Sequence, residues 1–250
     1  MGRRHLTLSS RSPVELSIGL YERGAVGYAS SIGEFIRLRS ERMSPAYVNL
    51  RPIASFSENH AMPVEEQREV RDLVVSSFSD LLDISPHNYD HILGVPHAMT
   101  AVAGLVAQAR GDSLLTMRSS ADKKYGVHKP IEGDYREGDV VIALDDAITD
   151  GGAKLDTIAR AEELGLVIPE VAVLVDREEG GREALEEMGY GFSSAIGLGG
   201  ITYVLAEQGI ITSQQRNWME KYYVSLVEGG IIPAIPKSLV EGPEDWSLPS

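Results

Sequence analysis

Along the chain, apolar positions first recur at helical spacing over residues 14–26, which predicts an amphipathic helix ending near Gly24. Residues 47–50 read as a short strand. Residues 63–82 read as a long helix, with Glu65, Glu66 and Glu69 near its positive N-terminal end. The pattern then alternates. Strands are predicted over 91–95, 114–117, 140–144 and 171–175, and helices over 98–109, 152–164 and 182–188, with a polar, charged stretch at 119–137. Strand followed by helix at this spacing predicts an α/β fold, a central mainly parallel sheet flanked by helices. The unbroken apolar runs at 140–144 and 171–175 fit strands buried on both faces. No internal repeat or low-complexity block interrupts this order. Residues 229–250 are rich in Pro and Gly and are expected to form an irregular extension or strap.

A chain of 250 residues fits one large domain with small additions. Its net charge of −14 opposes binding to nucleic acid or to an anionic membrane, so neither is expected as a partner. No apolar run approaches the roughly 20 residues needed to span a bilayer. Residues 1–5 are basic but lack the apolar segment of a signal peptide. The absence of cysteine excludes disulfides, thiolate metal sites and cysteine nucleophiles, and fits a cytoplasmic location. His87 and His91 are four apart, yet Pro86 and Asn88 stand against a shared helix, so no zinc site is read there.

Candidate chemistry concentrates at 140–153. An apolar run ends in Asp145 and Asp146, followed by Ala147, Ile148, Thr149, Asp150, Gly151, Gly152 and Ala153 at the start of a predicted helix. In a parallel sheet, ligands bind at the C-terminal ends of strands, where this acidic pair falls. A helix N-terminus offers unpaired N–H groups and a positive dipole end, and glycine lets backbone approach an anion closely. A Gly-Gly turn alone would serve equally as a tight strand-to-helix connection. Two adjacent like charges are best tolerated where a ligand or cation uses them. Carboxylates suited to sugar hydroxyls beside amides suited to phosphate point to a ribose-phosphate ligand. The segment is neither a Walker loop nor a dinucleotide fingerprint.

The segment resembles the phosphoribosyl-diphosphate (PRPP) motif of type I phosphoribosyltransferases: an apolar strand, two acids, two variable residues, then Thr and a small-residue loop. Other segments resemble orotate phosphoribosyltransferases. Arg39-Ser40-Glu41-Arg42-Met43-Ser44-Pro45 is similar to that family's Lys-Ser-Gly-x-x-Ser-Pro signature, and Leu174-Val175-Asp176-Arg177-Glu178-Glu179-Gly180-Gly181 to its Leu-Val-Asp-Arg-x-Glu-Gly-Gly stretch. The polar stretch from Arg118 to Gly133 resembles the family's mobile catalytic loop. The resemblance spans about residues 14–205.

It implies a phosphoribosyltransferase core over 63–210, a small N-terminal hood over 1–62 that forms part of the base pocket, and a C-terminal helix with tail over 211–250. It implies transfer of the phosphoribosyl group of PRPP to orotate, in pyrimidine synthesis. PRPP would be held by Asp145, Asp146, the 147–153 loop, His97, Ala98 and Tyr125. Orotate would be held by Arg39, Tyr47, Val48, Thr149 and Arg177. Lys123 and Arg118 would meet the departing diphosphate when the loop closes. Mg²⁺ would be bound mainly through PRPP and water, without a direct protein ligand, and the enzyme would be a homodimer sharing its sites. No decarboxylase segment follows, so a transferase without a fused decarboxylase is expected.

The chain departs from the family at several points. Arg39 replaces Lys, Ser119 and Ser120 replace a diphosphate-binding Lys, Asp150 enters the phosphate loop, and Met99 stands for the last Gly of Gly-x-Pro-x-x-Gly. Met99 would carry a steric cost if the loop needs a positive φ there. These departures leave open a family member with altered base preference or weakened activity. A PRPP-sensing regulator is a further alternative, disfavoured by the net charge.

Overall fold

The apolar run beginning at Val140 forms the central strand of the sheet, and the rest of the fold is arranged around it. The computed structural model describes residues 12–38, 40–58, 60–96, 99–117, 130–149 and 152–243. The chain begins with α1 (Pro13–Glu22), β1 (Val26–Tyr28), β2 (Ile36–Arg37), β3 (Met43–Ser44) and β4 (Ala46–Val48). Then come α2 (Val64–Ile84), β5 (His91–Gly94), α3 (Met99–Arg110), β6 (Ser113–Met117) and β7 (Ile131–Glu132). The chain continues through β8 (Val140–Ile148), α4 (Gly152–Glu162), β9 (Val167–Asp176), α5 (Gly181–Glu187) and β10 (Gly191–Gly197). It closes with α6 (Leu198–Glu207), α7 (Ser213–Glu228) and α8 (Lys237–Glu241).

Local chemistry sets several ends. Ser12 caps α1 by accepting the Val14 N–H, Pro13 occupies the first turn, and Gly24 leaves the helix region at φ 68°. Thr212 and Gln215 form a reciprocal capping box on α7.

Six strands pair in the order β10-β9-β8-β5-β6-β7, all parallel except the β6–β7 edge. The expected mainly parallel α/β sheet is therefore present. One face packs on α2 and α3 through Val74, Phe78, Ile92, Val102 and Ile142. The other packs on α4 and α5 through Ile158, Ala161, Leu185, Val141 and Val171. The N-terminal strands form two small antiparallel pairs, β1–β4 and β2–β3. Their Val26 and Ala46 join the same apolar cluster as α2 and α7, so hood, core and C-terminal helix share one interior.

Two sequence expectations need correction. β8 runs to Ile148 rather than ending at Leu144. Asp145 and Asp146 lie inside the strand because backbone pairing with β9 is indifferent to side-chain charge: Asp145 sits opposite Val173 and Ala147 opposite Val175. On the other side β5 ends with Gly94 opposite Leu144, so residues 145–148 pair with β9 alone. The tail is not wholly irregular, since 237–241 is helical and Leu239 is buried against the interior. Five residues lack the length to hold a helix alone, and packing against α6 supplies what periodicity did not signal.

Candidate active site

The strand order reverses between β5 and β8: β6 lies on the far side of β5, and β9 and β10 on the far side of β8. Crevices at such switch points, beyond the carboxyl ends of strands, are where α/β sheets bind ligands. The acidic pair lies there. Asp145 is buried and Asp146 half-buried. The Asp145 carboxylate accepts the Asp146 N–H at 2.7 Å, and the Asp146 carboxylate accepts the Ala147 N–H at 2.8 Å. Ile148 and Thr149 follow, and α4 starts at Gly152, so a helix N-terminus lies within a few residues of the strand end.

Close packing locks the end of β8 in place. The Arg177 N–H donates to Ile148 O at 3.2 Å, joining the ends of β8 and β9. At Gly181, a Cβ would fall 2.5 Å from both Ile148 Cγ1 and Thr149 O. Because a backbone oxygen is involved, the strand end itself would have to move. Gly181→Ala should therefore destabilise by about 1–3 kcal/mol through overpacking and, on the phosphate role that the sequence resemblance implies for this strand end, raise KM for the phosphorylated substrate. Thermal unfolding with steady-state kinetics checks both, and an unchanged KM would show that the strand end is not the phosphate site.

Arg177 is almost fully buried after β9. Its Nε donates to Glu179 Oε1 at 2.9 Å, its Nη2 to Ser44 Oγ at 2.9 Å, and both Nη atoms to Ala46 O at 3.4 Å. Tyr223 on α7 donates its hydroxyl to Arg177 O at 2.8 Å. The guanidinium thus brings the hood segment 44–48 over the sheet end, beside two of the residues implied to hold a base. Tyr47 and Val48 are both half-buried there, and the Tyr47 ring lies against Gly27, where a side chain would collide with it.

Glu178 takes a left-handed backbone, φ 57°. Its carboxylate accepts the Gly199 N–H at the start of α6 at 2.8 Å and the Ser238 hydroxyl of α8 at 2.7 Å. Burial pushes its pKa from the ordinary 4.5 up to about 7, against the opposing effect of those donors. Between these values the folded state holds a proton that the unfolded chain has released. The stability from this group is therefore full below pH 4.5 and lost as pH rises through 7. Glu178→Gln keeps an acceptor and removes the titration. Its stability relative to the parent should rise by about 2–3 kcal/mol between pH 4.5 and 8. Urea unfolding across that range checks this, and parallel curves for the two proteins would refute it.

Met99 shows no positive φ: it opens α3 and is wholly buried in the core. The anticipated steric cost does not arise. Gly94 supplies the close approach instead, since a Cβ there would lie 2.8 Å from Ala103 Cβ and 2.9 Å from Met99 O. Arg39, His97, Ala98, Arg118, Lys123, Tyr125, Asp150 and Gly151 lie outside the described residues. Among the described residues no group of three or more His, Cys, Asp or Glu is placed to hold a metal, and no helix is long and apolar enough to cross a membrane. His91 lies at the opposite end of the sheet, between Ser113 Oγ and Asp139.

Residue-by-residue reading missed Arg42 and left Glu179 without a role. Arg42 follows the turn at Glu41, which stands at the signature's glycine and takes φ 65°. It donates to Glu179 Oε2 at 3.1 Å. Its signal was slight, a variable position inside the Lys-Ser-Gly-x-x-Ser-Pro pattern.

The orotate phosphoribosyltransferase of Sulfolobus acidocaldarius is 30% identical over 194 residues, 77% of this chain and 90% of that protein. The chain belongs to the orotate phosphoribosyltransferase family. A uridine 5'-monophosphate synthase of Caenorhabditis elegans is 32% identical over 184 residues, 73% of this chain, and the chain spans 34% of its length. The solved structure of Leishmania donovani UMP synthase matches 85% of this chain and 42% of its own, with TM-score 0.72 and 26% identity. No protein-family model matches the chain. Family membership accords with the type I phosphoribosyltransferase sheet and with the hood folded over its carboxyl end.

Proposed function

We propose that the chain transfers the phosphoribosyl group of PRPP to orotate, giving orotidine 5-phosphate and diphosphate in de novo pyrimidine synthesis. One observation carries this reading above the others: the Asp145–Asp146 pair stands where β8 outruns β5, next to a helix N-terminus and the Arg177-held hood. Asp145 and Asp146 would hold the ribose hydroxyls. Residues 149–153 and the first turn of α4 would hold the 5-phosphate. Arg177, Tyr47, Val48 and Thr149 would set the base, with Arg39.

The reaction breaks the bond between ribose C1 and diphosphate as orotate N1 bonds to C1. Positive charge builds on the ribose, where the two aspartates oppose it, and negative charge on the departing diphosphate, where Arg118 and Lys123 would meet it. Positioning of the two reactants contributes much of the rate, with no covalent nucleophile. The oxygen donors of Asp145 and Asp146 suit a hard cation, and Mg²⁺ brought in with PRPP would neutralise diphosphate charge. Closure of the 118–133 segment over a partner's site in a cytoplasmic homodimer completes the proposal, excluding water from PRPP.

Purified protein with PRPP, Mg²⁺ and orotate should consume orotate, followed by its absorbance, with diphosphate formed in equal amount. Turnover with another base but none with orotate would sink this reading.

A further inference from the structure

The turn after β9 carries Arg177, and much of what holds its backbone comes from the C-terminal part of the chain. Glu178 takes φ 57°, a left-handed backbone that costs a residue with a side chain free energy and persists only where its surroundings hold it. The Glu178 N–H donates to Asp176 Oδ1 at 2.7 Å, which closes the turn on one side. The Glu178 carboxylate is the second hold. Its Oε2 accepts the Gly199 N–H at 2.8 Å, and the Ser238 hydroxyl lies 2.7 Å from Oε1 and 2.9 Å from Oε2, donating between them. Gly199 leaves the room for this, since a Cβ there would fall 2.5 Å from Ser238 Oγ and 2.9 Å from Glu178 Oε2. The strap that brings Ser238 to the turn is itself seated, with its Leu239 buried in the main apolar cluster. Ser238 lies past residue 205, where the family resemblance ends, so this hold comes from a part of the chain that the signatures do not cover.

We propose that Ser238 is a positioning residue for base binding: by gripping the Glu178 carboxylate it holds the turn that sets Arg177 at the base end of the crevice. The proposal rests on the reading of this site as acting on orotate, in which Arg177 meets the base. Arg177 and Glu179 flank the left-handed residue, and their side chains pair across it, Nε to Oε1 at 2.9 Å. A change of φ at Glu178 therefore turns the two against each other and moves the guanidinium edge. The Arg177 N–H and carbonyl are fixed by Ile148 and Tyr223, so Glu178 is the joint through which the strap acts. The end of β8, which PRPP would use, is laddered to β9 upstream of that joint. The strap should therefore matter to the base more than to PRPP.

The test compares the full chain with Ser238→Ala, Ser238→Thr, Glu178→Ala and the double variant Glu178→Ala with Ser238→Ala. Steady-state kinetics gives kcat and separate KM values for orotate and PRPP, and melting temperature confirms folding. Ser238→Ala should raise the KM for orotate by about 2–10-fold, the net worth of one hydrogen bond, with kcat and the KM for PRPP changing far less. Ser238→Thr, which keeps the hydroxyl, should stay near the parent. In the Glu178→Ala background Ser238→Ala should add nothing, because the group it grips is gone. An unchanged KM for orotate in Ser238→Ala, equal rises for both substrates, or effects of the two substitutions that simply add overturn the proposal, while orotate turnover by the parent chain leaves the function standing. A parent chain without orotate turnover removes both.

Discussion

Replacing Arg177 by alanine is expected to destabilise the protein by about 3–5 kcal/mol, the usual result of removing one partner from a buried ion pair. Glu179 would keep Arg42, which meets it from the more exposed side, and the neighbouring Tyr222. Ser44 Oγ and Ala46 O would lose the donors that seat the hood on the sheet. The loss should therefore be larger than hydrophobic truncation at that position alone would give, and it should come with weaker binding of the base. Urea unfolding measures the first effect and the KM for orotate the second. The double variant Arg177→Met with Glu179→Leu should recover only part of the stability, because apolar groups replace the buried Arg177–Glu179 pair while Arg42 loses its carboxylate. It should not recover the KM. A destabilisation below about 1 kcal/mol for Arg177→Ala would mean that the pair behaves like a surface one.

Converting either acid of β8 to its amide should reduce turnover by about 10²–10³-fold, by analogy with loss of one preorganised charge-stabilising group. Asn can still accept the N–H that each carboxylate now holds, Asp146 N–H for Asp145 and Ala147 N–H for Asp146, so the strand end keeps its shape. What changes is the charge that the proposed mechanism sets opposite a sugar becoming positive as its leaving group departs. The effect should fall on kcat as well as on KM for PRPP, because the interaction strengthens as the bond breaks. Steady-state kinetics on folded Asp145→Asn and Asp146→Asn, verified by circular dichroism, decides it. Full rate in both variants would remove the acidic pair from the mechanism.

Much of the sheet was legible along the chain because its central strands are buried on two faces and read as continuous apolar runs. The runs at 140–144 and 171–175 became β8 and β9, and the alternation with helices forced parallel pairing. The far end of β8 was not legible, since hydropathy stops at the first aspartate while hydrogen bonding continues to Ile148. The same blindness hid α8, whose five residues are held by packing. The steric concern at Met99 failed for a related reason: the close approach is met at Gly94, the last residue of the preceding strand.

The amino-acid order alone determined the α/β class, the acidic pair before a glycine turn, and the order of the three signatures, because each depends on neighbours within a few residues. Tertiary structure alone decided that Arg177 and Arg42 meet on one buried carboxylate, Glu179. Arg42 and Glu179 are 137 residues apart, and no local pattern encodes their meeting. It follows from the hood closing over the sheet end, where burial makes each unpaired charge costly and so fixes which groups must pair.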